Sequence, residues 1–315
     1  MPRERATFPR EYDRMSRLPE LEVARQAAAA GAPAPLRQLG QAGSNGGETD
    51  APSPHFHQAP LPRLAYLRDL VIELVLRDLN LRYKRSVLGI LWSLVTPLAQ
   101  LLVLRFVFTV VLPLNVPNYT AFLFTGILVW TWLQSSLDQA AGSIVDNREL
   151  VRLAGFPVAI LPIVTVAANL AQFLFALPIL VIFLWLGGGV PLTAAPLLLP
   201  VLIAIQFLVI LSIAYFVAAL QVTFRDVKHL LQIAIMLGFY LTPVFYELHQ
   251  APVKYAALYQ VNPMVHLIGA YRAILLHGQF PAPRPLVAVA AASAVVLLLG
   301  YQLFARASSH FVDEL

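Results

Sequence analysis

The stretch LAGFPVAILPIVTVAANLAQFLFALPILVIFLWLGGGVPLTAAPLLLPVLIAIQFLVILSIAYFVAALQVTF (153–224) contains no Asp, Glu, Lys or Arg. A helix needs roughly 20 apolar residues to cross the hydrocarbon core of a bilayer, so this stretch alone has room for two or more crossings. The whole chain of 315 residues is 58% hydrophobic and 12% charged, whereas soluble domains are about 45–50% apolar and about 25% charged. These values predict an all-α polytopic membrane protein.

Six apolar segments predict six transmembrane helices within one domain, residues 87–315. Turn signals and polar runs separate them; the third, for example, ends at GGGVP, where three Gly and a Pro break any helix. The fifth segment is short. The segments are 87–112, 119–142, 157–186, 196–222, 229–246 and 285–305.

The basic residues are distributed asymmetrically between the two sides of these spans. Cytoplasmic loops carry an excess of Lys and Arg, so the richer side is predicted to be cytoplasmic, with both termini there. The poorer side has only Lys254, Arg272 and Arg284. The richer side has Arg63, Arg68, Arg77, Arg82, Lys84, Arg85, Arg148, Arg152, Arg225, Lys228 and Arg306.

The chain before the first span divides into two parts. Residues 1–62 are rich in Pro, Ala, Gly and Arg and predict a disordered tail, with no signal-peptide pattern. In residues 63–86, polar side chains recur every three or four positions beside Leu and Val, which predicts an amphipathic helix lying in the membrane interface. That polar stripe is Asp69, Glu73, Arg77, Asn80 and Lys84.

Residues 247–283 are too apolar for an ordinary loop and too interrupted for a span. Within them, Asn262–Pro263 is a helix start signal and Gly278 a stop signal. The apolar repeat between them predicts re-entrant helices before the last span, which a membrane tolerates where protein or water surrounds the backbone.

The composition excludes several kinds of chemistry. The chain has no Cys, which excludes disulfides and thiol catalysis, and its seven His show no metal-binding spacing, so no metal site is predicted. None of the three lysines (Lys84, Lys228, Lys254) follows a Gly, so the phosphate-binding motif GxxxxGK[ST] is absent. We therefore expect no ATPase site and no cofactor in this chain.

Several segments, in collinear order over residues 64–315, resemble the membrane subunits of ABC polysaccharide exporters, the type-two ABC permeases. The similar segments are RDLNLRYKRSVLGILWSLVTPL (77–98), LFTGILVWTW (123–132), NRELVRLAGFPVAILPI (147–163), FRDVKHLLQIAIMLGFYLTPVFY (224–246) and NPMVHLIGAYRAILLHG (262–278). The resemblance implies a homodimer with two separate ATPase subunits that bind ATP and Mg. It also implies a lipid-linked polysaccharide substrate (O-antigen, capsule or teichoic-acid-like) and a location in the bacterial inner membrane.

The loop after the second span is the candidate for coupling to the ATPase. A short helix over 147–154 would present charged side chains to a partner subunit, although a plain loop would carry the same charges. The candidate residues are Asp146, Asn147, Arg148, Glu149, Leu150 and Arg152. The interface helix is a second candidate contact surface, through Arg77, Asp78, Arg82 and Tyr83.

Aromatic and charged residues in the spans are candidates for the translocation path. Sugars stack on aromatic rings, but Trp and Tyr also anchor proteins at membrane interfaces. Arg105 lies deep in the first span, where it either faces a wet cavity or snorkels to the interface. The path candidates are Trp92, Arg105, Tyr119, Trp130 and Trp132. By the resemblance, Asn262, Pro263, Tyr271 and Arg272 form an extracellular gate, with a purely structural cap as the alternative.

Three other functions would fit a polytopic chain. An ion-coupled secondary transporter would need mid-span carboxylates and repeated halves, neither of which the sequence indicates. A membrane-embedded transferase would need a polar catalytic cluster. An ABC exporter of drugs or lipids with the same fold is less favoured than a glycan exporter by the segments RYKRSVLGILW and NPMVHLIGAYR.

Overall fold

The structure is a computed structural model that describes residues 60–84, 91–114, 116–153, 155–187, 193–248, 253–308 and 311. All regular structure in this part of the chain is helical. The predicted tail, residues 1–62, lies outside the described residues except for its last three. Arg85 and the segment that joins the interface helix to the first span also lie outside them.

Ten α-helices make up the described architecture, with a π-helical turn, Val107–Val111, extending the second and a 3₁₀ turn, Ala195–Leu198, preceding the sixth. They are α1 (Pro60–Tyr83), α2 (Trp92–Phe106), α3 (Tyr119–Gly142), α4 (Arg148–Val151), α5 (Ile160–Leu186), α6 (Leu199–Thr223), α7 (Val227–Leu241), α8 (Ala256–Val261), α9 (Pro263–Leu275) and α10 (Pro283–Ser308).

Within the described ranges, five helical segments are long and apolar enough to cross a membrane, which confirms the prediction of an all-α polytopic membrane protein. They are Trp92–Val111, Tyr119–Gly142, Ile160–Leu186, Ala195–Thr223 and Pro283–Ser308. Helix α7 is apolar but has only 15 residues, about 22 Å against a hydrocarbon core of roughly 30 Å. The count of six spans therefore stays a prediction.

Two predicted helix boundaries were wrong. The fifth apolar segment, 229–246, is helical only to Leu241, because Pro243 disfavours the helical conformation of the residue before it; Thr242 is extended, with φ −100° and ψ 140°. The coupling helix is one turn, Arg148–Val151, rather than 147–154. Gly155 follows with φ +82°, a left-handed conformation that turns the chain toward α5.

Helix α3 is the centre of the bundle. Every residue from Ala121 to Trp130 is buried, and α3 packs against α2, α5, α6, α7 and α9. Helix α6 packs along α10, where Gly300 lets the two backbones approach at Phe216 and the carbonyl of Ser212. By contrast, α7 buries only Ile235 and Phe239. The outer faces of α2 and α7 are therefore largely uncovered in the single chain.

Helix α1 packs against the beginning of α5 through a small apolar cluster. Leu74 of α1 is buried against Ile160 and Val164, while the opposite side of α1 is exposed. The exposed side also carries large apolar side chains, namely Tyr66, Ile72, Leu76 and Leu81, so the amphipathic character predicted for 63–86 stays a prediction. The predicted place of α1 in the membrane interface stays a prediction too.

Helix α9 is fixed by a capped start and by one buried cation. The side chain of Asn262 accepts a hydrogen bond from the backbone N–H of Met264 at 2.9 Å, which caps the helix as the Asn262–Pro263 signal predicted. Further along α9, the guanidinium of Arg272 lies between α3 and the segment after α7. Gly126 permits this approach, because a Cβ there would lie 2.7 Å from the carbonyl of Val244 and 2.8 Å from Arg272 Nη2.

We predict that Gly126→Ala destabilises the bundle by about 1–3 kcal/mol, because the added methyl group overpacks a closed contact. The readout is the midpoint of thermal unfolding in detergent, which should fall. Gly269→Ala on α9 is the matched control: nothing lies within 4 Å of that Cβ position, and Ala is the better helix former, so its midpoint should stay equal or rise. An unchanged midpoint for Gly126→Ala would contradict the close approach.

Candidate functional site

A polar groove of about 490 Å³ lies between α2, α3 and α7. Such a lining is unusual between apolar helices, since polar side chains within spans are rare and mark water-filled or functional regions. Four of the ten lining residues are glutamines. The lining residues are Gln100, Gln134, Ser135, Asp138, Gln139, Gln232, Ile235, Met236, Phe239 and Tyr240.

Helix α3 supplies most of the polar wall. Gln134, Ser135, Asp138 and Gln139 are spaced so that they share one face of the helix. Asp138 lies four residues, or about 6 Å, before the last residue of α3, after which the chain enters the α4 loop. The groove therefore begins near the end of the bundle where the α4 loop lies.

Helix α7 is tied to this wall by a hydrogen bond between side chains. Gln232 Nε2 donates to Asp138 Oδ1 at 2.9 Å. The ring of Phe239 on α7 meets Trp130 on α3 edge to face, with the ring centroids 5.9 Å apart. These two contacts hold α7 against α3 while leaving its other faces exposed.

A chain of hydrogen bonds connects the groove to helix α1. Asn169, buried in α5, donates to Gln139 Oε1 at 2.9 Å and to the carbonyl of Thr165 at 2.8 Å. Its own Oδ1 accepts from Arg82 Nη1 at 3.3 Å. Arg82 also forms an ion pair with Asp78, one turn earlier in α1. Two predicted residues of the interface helix are thus connected to the groove wall through Asn169, which the sequence analysis did not single out.

The structure also joins α1 to the predicted coupling loop. Arg77 Nη2 donates to Asn147 Oδ1 at 3.0 Å, and Asn147 Nδ2 donates to the carbonyl of Ser143 at 2.9 Å. Leu150 packs into the cluster between α1 and α5. Four charged residues of the loop remain exposed: Asp146, Arg148, Glu149 and Arg152. The side chain of Tyr83 lies outside the described residues.

The predicted path residues occupy different environments. Trp130 and Trp132 are buried inside the single chain, where Trp132 stacks on Phe173 at 5.1 Å between centroids. Trp92 is 55% exposed and Arg105 is exposed, both on α2. Tyr119 is buried and donates its hydroxyl to the carbonyl of Phe245 at 2.8 Å. The placement of the two buried tryptophans favours the packing alternative for them.

Two of the four predicted gate residues, Asn262 and Arg272, bond to the segment that follows α7, residues 242–245. Asn262 Nδ2 donates to Thr242 Oγ1 at 2.9 Å, and Pro263 starts α9 beside it. Arg272 donates to the carbonyls of Pro243 (2.7 Å), Val244 (2.5 Å) and Phe122. Tyr271 is fully buried, with its ring edge-to-face on Phe173.

We predict that Arg272→Met destabilises the protein by about 3 kcal/mol or more, because three buried carbonyls lose a charged donor at once. The guanidinium also stacks 3.5 Å above the ring of Phe122, and that contact would be lost too. Thermal unfolding in detergent measures the loss. Arg284→Met is the control, since Arg284 is exposed at the start of α10. Equal midpoints for the two variants would refute the role of Arg272 as a structural link.

The glutamines of the groove were not predicted from the sequence. The available signal was the i, i+1, i+4, i+5 spacing of Gln134, Ser135, Asp138 and Gln139, which places four polar groups on one helix face. Gln100 and Gln232 had no such local pattern, and only tertiary packing brings them to the same groove.

Comparison with known proteins identifies related chains. The family of ABC-2 type transporters matches residues 69–276. The O-antigen export system permease protein RfbA of Myxococcus xanthus is 36% identical over 250 residues, or 79% of this chain and 96% of that protein. RfbA of Klebsiella pneumoniae is 32% identical over 68% of this chain and 83% of that protein. The polysialic acid transport protein KpsM of Escherichia coli is 24% identical over 73% of this chain and 90% of that protein.

Proposed function

Because this chain belongs to the ABC-2 type transporter family, we propose that it is the membrane permease of an ATP-driven polysaccharide exporter. The relatives named as O-antigen and polysialic acid transport proteins support this substrate class. The observation that carries the proposal is the groove of amide side chains between α2, α3 and α7. Its donors and acceptors suit a hydroxyl-rich polymer that must be held weakly while it slides.

The energy source is a separate ATPase subunit that binds ATP and Mg. This chain has no GxxxxGK[ST] segment with which to bind the nucleotide itself. The exposed charges of Arg148, Glu149 and Arg152 form the docking surface for that subunit. The bond from Arg77 to Asn147 braces this surface against α1. The α4 loop and both termini are then on the cytoplasmic side, as the distribution of basic residues predicts.

The working unit is a homodimer that encloses the groove. In a single chain the groove is open to the side, and hydrocarbon cannot satisfy the amides of Gln100, Gln134 and Gln232. The faces of α2 and α7 beside it carry exposed apolar side chains, including Leu102, Ile233 and Leu237. Packing these faces against a second copy would cover the apolar side chains and close the polar groups into one path.

The transport cycle follows from the connections of the groove. ATP binding brings the two ATPase subunits together and pushes on the α4 loop, and the hydrogen bonds through Arg82, Asn169 and Gln139 carry the displacement to the groove wall. A lipid-linked glycan then moves outward along the groove. Residues Asn262, Pro263, Tyr271 and Arg272 hold the outer segment that must shift to let it leave.

The docking surface is tested by co-purification. We expect the wild-type protein to purify from detergent with an ATPase subunit, and the triple variant Arg148→Ala, Glu149→Ala, Arg152→Ala to lose about tenfold or more in affinity for it, since each docking charge is worth of the order of 1 kcal/mol. The control removes two exposed cations at other sites, Lys254→Ala with Arg284→Ala, and should keep the ATPase. A wild-type protein that purifies alone and transports with an ion gradient would contradict the proposal and favour a secondary transporter.

The dimer is tested by cross-linking single cysteines, because the natural chain has none. A cysteine in place of Ile233, which is 52% exposed on α7, should cross-link to the same residue of a second copy in native membranes. A cysteine in place of Leu298, which is 63% exposed on α10, is the control and should give no cross-linked dimer. Cross-linking at position 298 but not at position 233 would place the interface on α10 and contradict the proposed dimer.

A further inference from the structure

The groove between α2, α3 and α7 is polar without being cationic. Besides its four glutamines, Ser135, Asp138 and Tyr240 contribute polar groups. A primary amide is both a donor and an acceptor, so a glutamine can hydrogen-bond a sugar hydroxyl in either direction. The ring of Tyr240, which is 61% exposed, adds a flat surface for the C–H face of a sugar. This lining suits an uncharged polymer with many hydroxyl groups.

Asp138 is the only carboxylate among the described residues that line the groove, and none of them is Arg, Lys or His. Between α3 and α7, the uncharged amide of Gln232 donates a hydrogen bond of 2.9 Å to Oδ1 of Asp138. The cation of the neighbouring network, Arg82, bonds to Asp78 and Asn169 and does not line the groove. Arg105 of α2 is not part of the lining either. Among the described residues, the lining therefore contains no cation to offset the carboxylate.

A carboxylate in such a groove acts against anionic cargo. Between apolar helices the effective dielectric constant is lower than in water, so like charges repel each other more strongly and salt screens them less. A polyanionic glycan brings one or more negative groups past this point with every repeat. A neutral glycan meets the same carboxylate as a hydrogen-bond acceptor for its hydroxyls.

We propose that Asp138 determines specificity by excluding polyanionic glycans, and that the polymer carried by this permease has an uncharged repeating unit. This inference rests on the proposed function, since it presumes that a glycan passes through the groove. In the homodimer the two copies contribute two Asp138 carboxylates to the same path, which strengthens the exclusion.

The polymer itself gives the first test. The gene is deleted from its host, and the surface glycan that disappears is hydrolysed and analysed for uronic acid, sialic acid and phosphate. The expected repeat contains none of them. An anionic group in every repeat overturns this inference but does not contradict the proposal that the protein is a polysaccharide exporter. A deletion strain with unchanged surface glycans overturns the exporter proposal, and this inference with it.

The role of Asp138 is tested by saturation-transfer NMR on the dimer in nanodiscs at low salt, a method that detects weak binding. The probes are maltoheptaose and a galacturonic acid oligomer of equal length. We expect transfer to the neutral probe at about three times or more the level of the anionic one, since each acidic sugar is repelled. Asp138→Asn should remove that difference, whereas Glu73→Gln, which removes an exposed carboxylate on α1, should keep it.

The other outcomes of this experiment separate the two proposals. Equal transfer to both probes in the wild type, or a difference that survives in Asp138→Asn, overturns the role of Asp138. Transfer to neither probe shows that the groove does not bind glycan. That result would refute the proposal that the groove is the translocation path, and with it the proposed role of Asp138.

Discussion

Hydrocarbon offers no hydrogen-bond partners, and this constraint shapes both the backbone and the polar side chains of the protein. Several polar side chains inside the bundle bond to backbone carbonyls, as when Gln206 Nε2 donates to the carbonyl of Val129 at 2.9 Å. Seven polar side chains of α2, α3 and α7 meet in one groove. Hydrocarbon cannot satisfy the polar groups of such a groove, and the proposed homodimer would keep it away from lipid.

The position of α7 depends on contacts at both of its ends. Along its length it buries only two side chains, so packing alone fixes it weakly. Toward its start Gln232 bonds to Asp138, and beyond its end Arg272 and Tyr119 bond to carbonyls of residues 243–245. A helix held by a few polar bonds can move without dismantling the apolar core between α3, α5 and α6. This property suits a helix that forms one wall of a translocation path.

Features encoded locally were predictable from the sequence. The span 119–142 has the predicted bounds, and Asn262 caps α9, because hydropathy and capping depend on near neighbours. The fifth segment was predicted to run to residue 246, but α7 ends at Leu241 because Pro243 disfavours a helical conformation of Thr242. The groove was not predicted, since Gln100, Asp138 and Gln232 are far apart in the chain. The burial of Trp132 likewise depends on Phe173, which lies on another helix.

We propose that the groove is a wet path for a glycan. It is tested most directly by replacing Gln134, in the wall of the groove, with cysteine in this cysteine-free chain. The measured quantity is the rate at which a charged, membrane-impermeant thiol reagent modifies it in native membranes. We predict fast modification that slows severalfold when a glycan is trapped in the exporter. If the cysteine is not modified, or if its modification rate is the same with and without a trapped glycan, the groove is not a water-filled path for the glycan.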